Sequence, residues 1–354
     1  MTAAGGDPRA EWAFLGRRVL VVSRFPPAAD GIARYAAQLN RLLAEDRELL
    51  ALGIPQGGGD RVRALWGGLR PLRIALHARG FDDVLVQYHP HYFVRGAWPS
   101  RVASYAALAL VARACPTTWV VHEFDEPRAR EIGRRGRIQF AAEEALRCAL
   151  WRRAGALVFH SEADRRRFAA RFPGRRAERV VSHGAFFVPE TDDTREQARA
   201  ALGLGGDRAV LLMIGFLSPH KGYDRAIAAF ADAAGPRAEL HVVGTPIRPM
   251  PDVHAHVEQL RRLVAATPGV HLHERFVGDE EFDRWIRAAD AVITPYREAA
   301  SSGVMARARM LGTPVITSAA GGLAEQVAPG DVAFTTQAEL AAAIRAATAP
   351  PPPG

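Results

Sequence analysis

One stretch, MIGFLSPHKGYDRAIAAF from Met213 to Phe230, contains the strand, loop and helix that decide the predicted fold. An apolar run ends at Gly215, and a loop with proline, lysine and glycine leads to a helical pattern that begins at Tyr223. A short buried strand followed by a helix is the repeating unit of parallel sheets that helices cover on both faces. The stretch therefore predicts an α/β protein.

The same alternation of strand and helix patterns fills two parts of the chain. The first part contains the apolar runs RVLVVS, RELLALGI, DVLVQYH, TTWVVHEF and GALVFHS, and the second contains AVLLMIG, AELHVVG, GVHLHERF, DAVITPY, TPVITS and VAFT. Between them, Phe186–Asp207 is polar and lacks a strand pattern. We predict two Rossmann-like, doubly wound parallel-sheet domains that face each other across a ligand-binding cleft. The predicted boundaries are 1–185, a linker at 186–206, and 207–354 with a Pro-rich tail.

The composition excludes several classes of protein. The 354 residues are 48% apolar, yet no apolar run reaches the ~18 residues that a membrane-spanning helix needs. The N-terminus lacks the basic and then apolar pattern of a secretory signal. Two cysteines, Cys115 and Cys148, indicate neither a disulfide framework nor a cysteine zinc site. These features predict a cytoplasmic protein.

The chain is basic, with a formal net charge of +8 and a pI near 10.2. Such a surface attracts nucleotides, phospholipids or nucleic acids, although an Ala- and Arg-rich genome explains it equally well. The positive charge is spread along the chain without a recognition motif, so we expect no nucleic-acid partner. The first predicted strand leads into RFPPAADG rather than a G-x-G-x-x-G turn, which argues against a dehydrogenase.

Two features of the second half indicate an anion site. Lys221 stands in a strand-to-helix loop, where its ammonium group would neutralise phosphate oxygens, although a surface lysine beside a turn glycine is commoner. Residues 296–316, YREAASSGVMARARMLGTPVI, contain a helix that Ser301 or Ser302 would cap. The unpaired N–H groups at a helix start bind anions, and Gly303 would let a phosphate come close. An ordinary Ser-capped helix is the alternative.

The chain resembles the family-4 glycosyltransferases of the two-Rossmann-domain (GT-B) fold from about Arg18 to Val327. Four motifs carry this resemblance in the family's order and spacing. SRFPPAADGIARYAAQL is similar to the first loop, VVHEFDEP to the histidine motif, GFLSPHKGYDRAIAAF to the phosphate-lysine motif, and YREAASSGVMARARMLGTPVITSAAGGLAEQV to the donor-site motif. VVSHGAFF, before the linker, also fits. The resemblance implies a nucleotide-sugar donor in the C-terminal domain and an acceptor on the N-terminal side.

The resemblance also implies roles for the residues at matching positions. Lys221 would bind the donor diphosphate, Glu298 would contact donor sugar hydroxyls, and His122 would lie beside the reacting sugar. Gly31 would line the floor of the cleft. The implied catalytic residues are His122 and Glu298, and the implied substrate-binding residues are Gly31, Gly215, Lys221, Ser301, Ser302, Gly303 and Val304. The family needs no metal, so neither a metal nor a cofactor is implied.

The implied activity is that of a retaining glycosyltransferase, and of a hexosyltransferase in particular. It would move a sugar from a nucleotide-diphosphate sugar to a hydroxyl of a glycan or a lipid-linked acceptor. Surface polysaccharide or glycolipid assembly is the implied setting. Because no side chain stands out as a covalent nucleophile, front-face attack is favoured over a glycosyl-enzyme intermediate.

Phe216 and Arg307 are among the positions that depart from the family's pattern, with Glu298, which is one residue off the register of the first glutamate, and Asp30, which stands in place of a glycine. Phe216 stands where an arginine commonly follows the glycine, and Arg307 stands where the second glutamate of the donor motif is expected. A carboxylate accepts hydrogen bonds from both ribose hydroxyls, whereas arginine only donates. We expect Arg307 to reach the donor side and to pair with Glu298 or a phosphate; a solvated Arg307 is the alternative. The departures leave open a non-catalytic homologue that binds nucleotide or glycan as a partner subunit.

Three further groups of residues are less specific. Residues 61–80, RVRALWGGLRPLRIALHARG, mix arginines with apolar residues and would form either a peripheral membrane contact or a solvated helix. His89 and His91 would line the acceptor side or be structural. His271 and His273 share one face of a predicted strand, but the sequence indicates no third ligand, so we predict no zinc there.

Overall fold

The computed structural model of the protein describes residues 7–28, 30–55, 57–124, 134–246, 251–299 and 301–349. The chain separates into two compact units, Met1–Phe186 and Phe187–Gly354. Each unit contains one parallel sheet, which confirms the predicted α/β class with two Rossmann-like domains. The finer boundaries, including a linker at 186–206, stay a prediction. The predicted tail at 350–354 and residues 125–127 of the histidine motif lie outside the described residues.

Among the described residues, seven strands form the sheet of the first unit: β1 (Arg18–Ser23), β2 (Glu48–Gly53), β3 (Arg61–Val62), β4 (Asp83–Tyr88), β5 (Thr117–Val121), β6 (Ala156–Phe159) and β7 (Ala177–Val180). Their order is β3-β2-β1-β4-β5-β6-β7, and all the pairs are parallel. Strand β1 is buried after its first residue, which explains its nearly continuous apolar sequence. The strand order reverses between β1 and β4, where doubly wound sheets open a crevice at the carboxyl ends of the strands.

The described helices of the first unit are α1 (Gly31–Leu43), α2 (Arg73–His77), α3 (Pro90–Phe93), α4 (Trp98–Ala114), α5 (Arg134–Arg153) and α6 (Glu162–Arg171). Short 3-10 helices occur at Pro8–Trp12 and Arg70–Leu72. Helix α1 begins after Asp30, whose carboxylate accepts a hydrogen bond from the N–H of Ile32 at 2.8 Å. In the part of the chain that the structure describes, no helix is both long enough and apolar enough to cross a membrane.

An aromatic cluster forms part of the core of the first unit. The buried ring of Trp151 lies edge-on to Tyr88 at 4.8 Å, to Trp119 at 5.9 Å and to Phe168 at 5.2 Å between ring centroids. Such edge-to-face pairs each contribute about 0.5–1.5 kcal/mol beyond the area that they bury. The cluster therefore ties β4 and β5 to α5 and α6.

The second unit has a sheet of six strands within the described residues: β8 (Ala209–Ile214), β9 (Ala238–Gly244), β10 (Val270–Glu274), β11 (Ala291–Thr294), β12 (Val315–Ser318) and β13 (Val332–Phe334). The order is β10-β9-β8-β11-β12-β13, and all pairs are parallel. This is the Rossmann order, in which the direction of winding reverses between the first and fourth strands. The ligand crevice of the unit is therefore expected at the carboxyl ends of β8 and β11.

The described helices of the second unit are α7 (Arg195–Leu202), α8 (Tyr223–Ala233), α9 (Pro251–Ala266), α10 (Asp279–Ala288), α11 (Gly303–Met310) and α12 (Gln337–Ala347), with 3-10 helices at Pro219–Lys221 and Gly321–Gln326. Helix α7 lies inside the segment predicted as a linker. Its Arg199 donates to the carboxylate of Asp290 at 2.7 Å and to the carbonyl oxygen of Ala288 at 2.9 Å. These bonds attach α7 to the end of α10 and the start of β11.

Candidate functional site

Two loops of the second unit meet at the carboxyl ends of β8 and β11. The N–H of Arg297 donates to the carbonyl oxygen of His220 at 2.8 Å, which joins the loop after β11 to the loop after β8. Gly222 has a φ of 64°, and a Cβ there would lie 2.1 Å from the carbonyl oxygen of Pro295. Only glycine fits this position, because the neighbour is backbone and the conformation is left-handed.

Lys221 is held between these loops. Its Nζ lies 3.7 Å from the centroid of the Tyr296 ring, a distance at which an ammonium group is attracted to the face of an aromatic ring. The ring is buried, and the hydroxyl of Ser318 donates to the carbonyl oxygen of Tyr296 at 2.6 Å. Within the described residues, no carboxylate pairs with Lys221. The cation is therefore positioned but not neutralised.

Lys221 is also the only lysine of the chain, although lysine and arginine together number 46. An ammonium group is a compact point charge, whereas a guanidinium group is a planar fork suited to paired carboxylates. The presence of lysine rather than arginine at this one position is therefore a signal in the sequence. The comparison of motifs does not take it into account.

Helix α11 begins after the loop that carries Tyr296 and Glu298. Ser302 is the N-cap, and its hydroxyl accepts a hydrogen bond from the N–H of Met305 at 3.3 Å. The N–H of Ser302 donates to Oε1 of Gln326 at 3.1 Å. The structure shows no acceptor among the described residues for the N–H groups of Gly303 and Val304. Together with the helix dipole, these groups could hold an anion, and the anion site predicted from the sequence stays a prediction.

The GGL turn, which begins at Gly321, packs against the loop that follows β11. The N–H of Gly322 donates to the carbonyl oxygen of Ala299 at 3.1 Å. A Cβ at Gly321, where φ is 56°, would lie 2.3 Å from the same oxygen. The 3-10 helix Gly321–Gln326 therefore holds the loop that carries Glu298 and, through Gln326, the cap residue Ser302.

The remaining residues of the donor motifs follow strands β8 and β11, and their roles stay predictions. Glu298 is exposed on the loop after β11. Gly215 ends β8 with a φ of 131°, and its N–H donates to the carbonyl oxygen of Val243 at 3.0 Å. Ser301 and Phe216 are half-buried.

Arg307 does not reach the donor side, so the prediction that it pairs with Glu298 or a phosphate was wrong. Its Nε lies 2.6 Å from Oδ1 of Asp283, and its Nη1 lies 3.6 Å from a carboxylate oxygen of Asp279. Arg307 is 5% exposed and Asp283 is fully buried. The other oxygen of Asp283 accepts a hydrogen bond from the N–H of Glu190 at 2.9 Å. The position of the expected second glutamate is therefore part of a buried ion pair between α10 and α11.

This ion pair makes a prediction about stability. Arg307→Leu should lower the free energy of unfolding by about 3–5 kcal/mol, because the Asp283 carboxylate would stay buried without its cation. The double variant Arg307→Leu/Asp283→Leu should recover much of that loss. Urea unfolding of the full chain measures both, with Arg309→Leu, an exposed arginine of the same helix, as a control expected to cost less than about 1 kcal/mol. Weaker nucleotide binding at unchanged stability would contradict the structural role.

In the first unit, Gly31 is the first residue of α1. It is exposed, and a Cβ there would meet no atom within 4 Å. Its neighbour Asp30 accepts a hydrogen bond from the hydroxyl of Tyr92 at 2.7 Å and lies 3.4 Å from Arg24. Packing alone does not require glycine at position 31, and its role in lining a cleft stays a prediction.

His122 follows β5 and is fixed by two bonds. Its N–H donates to the carbonyl oxygen of Tyr88 at 3.1 Å, and its Nε2 lies 2.7 Å from Oε1 of Gln87. An amide oxygen only accepts, so Nε2 carries the proton in this arrangement and Nδ1 carries the lone pair. Burial, followed by the neighbouring His160 and His183, holds the pKa of His122 well below its usual value. The ring is therefore neutral at pH 7.

His122 belongs to a histidine cluster that the sequence reasoning missed. The ring of Tyr35 lies 5.0 Å from His122, 5.1 Å from His160 and 5.2 Å from His183 between centroids. Nδ1 of His160 lies 3.1 Å from the carbonyl oxygen of Val181. Burial lowers the pKa of His160 to about 4 and also lowers that of His183. A signal existed, since GALVFH ends a predicted strand with histidine, as TTWVVH does.

The cluster predicts a loss of stability in acid. Each of these histidines is neutral in the folded chain but binds a proton in the unfolded chain below a pH of about 6.5. The free energy of unfolding should therefore fall as the pH drops from 6.5 towards 4, by about 3 kcal/mol for His160 alone. Urea midpoints against pH should fall less steeply for His160→Gln, whose amide does not titrate. His254→Gln, at an exposed histidine, is the control. If the curves for His160→Gln and wild type run parallel, His160 does not cause the loss of stability in acid.

Comparisons with known proteins agree with this architecture. Residues 208–349 match the family described as Glycosyl transferases group 1. The chain is 31% identical over 290 residues to D-inositol 3-phosphate glycosyltransferase of Streptomyces avermitilis, covering 78% of this chain and 57% of that protein. It is 31% identical over 298 residues to the protein of that name in Geodermatophilus obscurus, covering 78% and 61%. The chain thus spans about three fifths of the length of these relatives.

Solved structures show the same fold. Sucrose-phosphate synthase from Thermosynechococcus elongatus aligns with a TM-score of 0.69 at 19% identity, covering 93% of this chain and 89% of that chain. Anabaena HepE in complex with UDP-glucose aligns with a TM-score of 0.67 at 16% identity, with the same coverage of both chains. The fold and the sequence matches place this chain among the GT-B proteins. The chain belongs to the group 1 glycosyltransferases.

Proposed function

We propose that this chain is a retaining glycosyltransferase that moves a hexose from a nucleotide-diphosphate sugar to an acceptor hydroxyl. The observation that supports it most directly is the single lysine of the chain, which is held against Tyr296 in the loop that leads to α11. Transfer requires the nucleoside diphosphate to leave, so negative charge develops on its phosphate oxygens. Lys221 and the N–H groups of Gly303 and Val304 would stabilise that charge without moving.

Two residues are proposed for the chemistry at the sugar. Glu298, exposed after β11, would accept hydrogen bonds from hydroxyls of the donor sugar. His122, held by Gln87 and neutral at pH 7, would lie beside the reacting sugar. Neither residue is arranged as a covalent nucleophile with a partnering base, so we propose front-face attack by the acceptor, which retains the anomeric configuration.

The proposed acceptor is the hydroxyl of a glycan or a lipid-linked sugar, in surface polysaccharide or glycolipid assembly. The relatives named above are, by their names, enzymes that glycosylate an inositol phosphate, a polar polyol. A hydroxyl acceptor on a polyol or sugar is consistent with those names.

The absence of lysine elsewhere in the chain allows a direct test of donor binding. An amine-acylating reagent should modify only Lys221 and the N-terminal amine, and a nucleoside diphosphate should protect Lys221 alone. UDP, GDP and ADP are tried in turn, with peptide mass spectrometry as the readout. Lys221→Ala should weaken the affinity for the protecting nucleotide about 10–100-fold by calorimetry, because a charge-assisted hydrogen bond is lost.

His122→Ala is the matched variant on the catalytic side. It should keep the nucleotide affinity within about twofold and abolish sugar transfer and donor hydrolysis, because His122 is assigned to the reacting sugar rather than to the phosphates.

Equal labelling of Lys221 with and without every nucleotide would refute the donor site. Nucleotide binding by wild type without transfer or donor hydrolysis would favour a non-catalytic partner subunit instead, a reading that Phe216 and the missing second glutamate support.

We further propose that the first unit makes a peripheral contact with an anionic membrane. Leu69 and Leu76 are 59% and 65% exposed, beside the exposed arginines Arg70 and Arg73. Arg95 lies over the ring of Trp66 at 4.7 Å. A surface that combines exposed leucines with cations gains both apolar burial and attraction to anionic headgroups, at about 1 kcal/mol for each cation near the surface.

Vesicle cosedimentation tests this contact. Wild type should bind vesicles that contain phosphatidylglycerol, bind neutral phosphatidylcholine vesicles weakly, and be released by salt. Leu69→Ser/Leu76→Ser should lower the partition coefficient about tenfold or more, because two buried leucine side chains contribute roughly 1.5–3 kcal/mol each. Leu110→Ser, at an exposed leucine of α4, is the control and should bind like wild type. Equal binding by the double variant, or none by wild type, would rule the contact out.

A further inference from the structure

The second unit carries a cluster of one carboxylate and three imidazoles outside the donor loops. Glu239 and His241 alternate on β9, and His271 and His273 alternate on β10. The parallel register pairs His271 with His241, so the four side chains lie on one face of the sheet. The sequence shows two of these histidines on one strand but does not show which strand is the neighbour. The structure therefore supplies the ligands that the sequence reasoning did not find.

The distances within the cluster suit a metal ion. Oε2 of Glu239 lies 3.4 Å from Nε2 of His241, and Oε1 lies 3.9 Å from Nε2 of His271. One ligand atom from each of the three residues lies within 4.8 Å of the others. Ligand atoms bound tetrahedrally at ~2.0–2.2 Å lie about 3.3–3.5 Å apart. Because the side chain of His271 is 47% exposed, its rotation can close the site without moving the backbone.

His241 is already oriented for such a role. It is 4% exposed, and its Nδ1 lies 3.0 Å from Nε2 of His273. The ring of Trp285 packs against both, at 5.3 Å from His241 and 4.8 Å from His273 between centroids. When Nδ1–H donates to His273, the lone pair of Nε2 faces Glu239. Metal-binding histidines are held by such a bond from the second ring nitrogen.

The charges of the cluster are compatible with a cation. Arg208, whose Nη1 lies 3.2 Å from Oε1 of Glu239, is half exposed to solvent. A divalent ion would take the place of this arginine as the charge partner of Glu239.

We propose that Glu239, His241 and His271 bind a divalent first-row transition metal, with His273 as the hydrogen-bond acceptor that orients His241. Two imidazole nitrogens and one carboxylate oxygen suit Zn²⁺ and its neighbours, whereas Mg²⁺ and Ca²⁺ take oxygen ligands. Water completes the coordination on the exposed side of His271. Since β10 is at the edge of the sheet, the metal ties the edge strand to β9.

The test uses tag-free full-length protein and Zn²⁺ alone. Competition calorimetry should show one Zn²⁺ bound per chain. His271→Gln and Glu239→Gln should each weaken binding by more than about 100-fold, beyond the ~10–100-fold that losing an orienting partner costs. His273→Leu should cost ~10–100-fold, whereas His273→Gln keeps an acceptor oxygen and should stay near wild type. His254→Gln, at an exposed histidine of α9, is the matched control and should bind like wild type.

Co²⁺ provides a second readout that does not depend on activity. Wild type loaded with Co²⁺ should show the visible absorption of a low-symmetry nitrogen and oxygen site, and His271→Gln should lose it. Because His271 is exposed, this variant is expected to fold, and circular dichroism checks that it does. The proposal is overturned if wild type binds no Zn²⁺, or if wild type, His271→Gln and Glu239→Gln bind it equally.

Discussion

The close approach of the Lys221–Gly222 loop to the carbonyl oxygen of Pro295 is the constraint on which the donor side of this protein depends. Strands β8 and β11 are neighbours, with Leu212 opposite Val292, so the loops that follow them must share one edge of the sheet. A side chain at position 222 would collide with backbone, and the left-handed turn there aims Lys221 at the ring of Tyr296. The cation is thereby placed by backbone packing rather than by an ion pair, and its charge stays available.

The start of α11 depends on a second set of contacts, and Arg307 is among them. One carboxylate, that of Asp283, accepts bonds from Arg307 on α11 and from the N–H of Glu190. A buried ion pair is weak evidence for stability, but it defines a register between the elements that it joins. The N–H groups that would hold a phosphate are at the opposite end of the same helix. Arg307 therefore bears on the start of α11 through the position of that helix, and the ribose of the proposed donor would have to be recognised without a carboxylate at position 307.

Much of the architecture could be predicted from the sequence, because each buried parallel strand appears as a continuous apolar run. The loops at Lys221 and at Ser302 could be placed for the same reason, since both directly follow such runs. The partner of Arg307 could not be predicted, because Asp283 is on another helix and the packing of α10 on α11 is a tertiary property. The cluster around Tyr35 was missed for a related reason: its histidines end separate strands that only the sheet brings together.

The positions of the arginine side chains and of the single lysine connect these observations. Arginine holds the paired carboxylates of this chain: Arg297 binds Asp224 through two nitrogens at 2.9 and 2.7 Å, and Arg261 binds Glu274 at 2.9 and 2.8 Å. A planar guanidinium group that binds a carboxylate in this way uses most of its N–H donors on that carboxylate. At position 221 the geometry is different, since one side of the cation faces an aromatic ring and no acid approaches within the described residues. A compact ammonium group can be held by the ring and still direct its remaining N–H groups at an anion. The lysine is therefore best explained by a ligand that the chain itself does not supply.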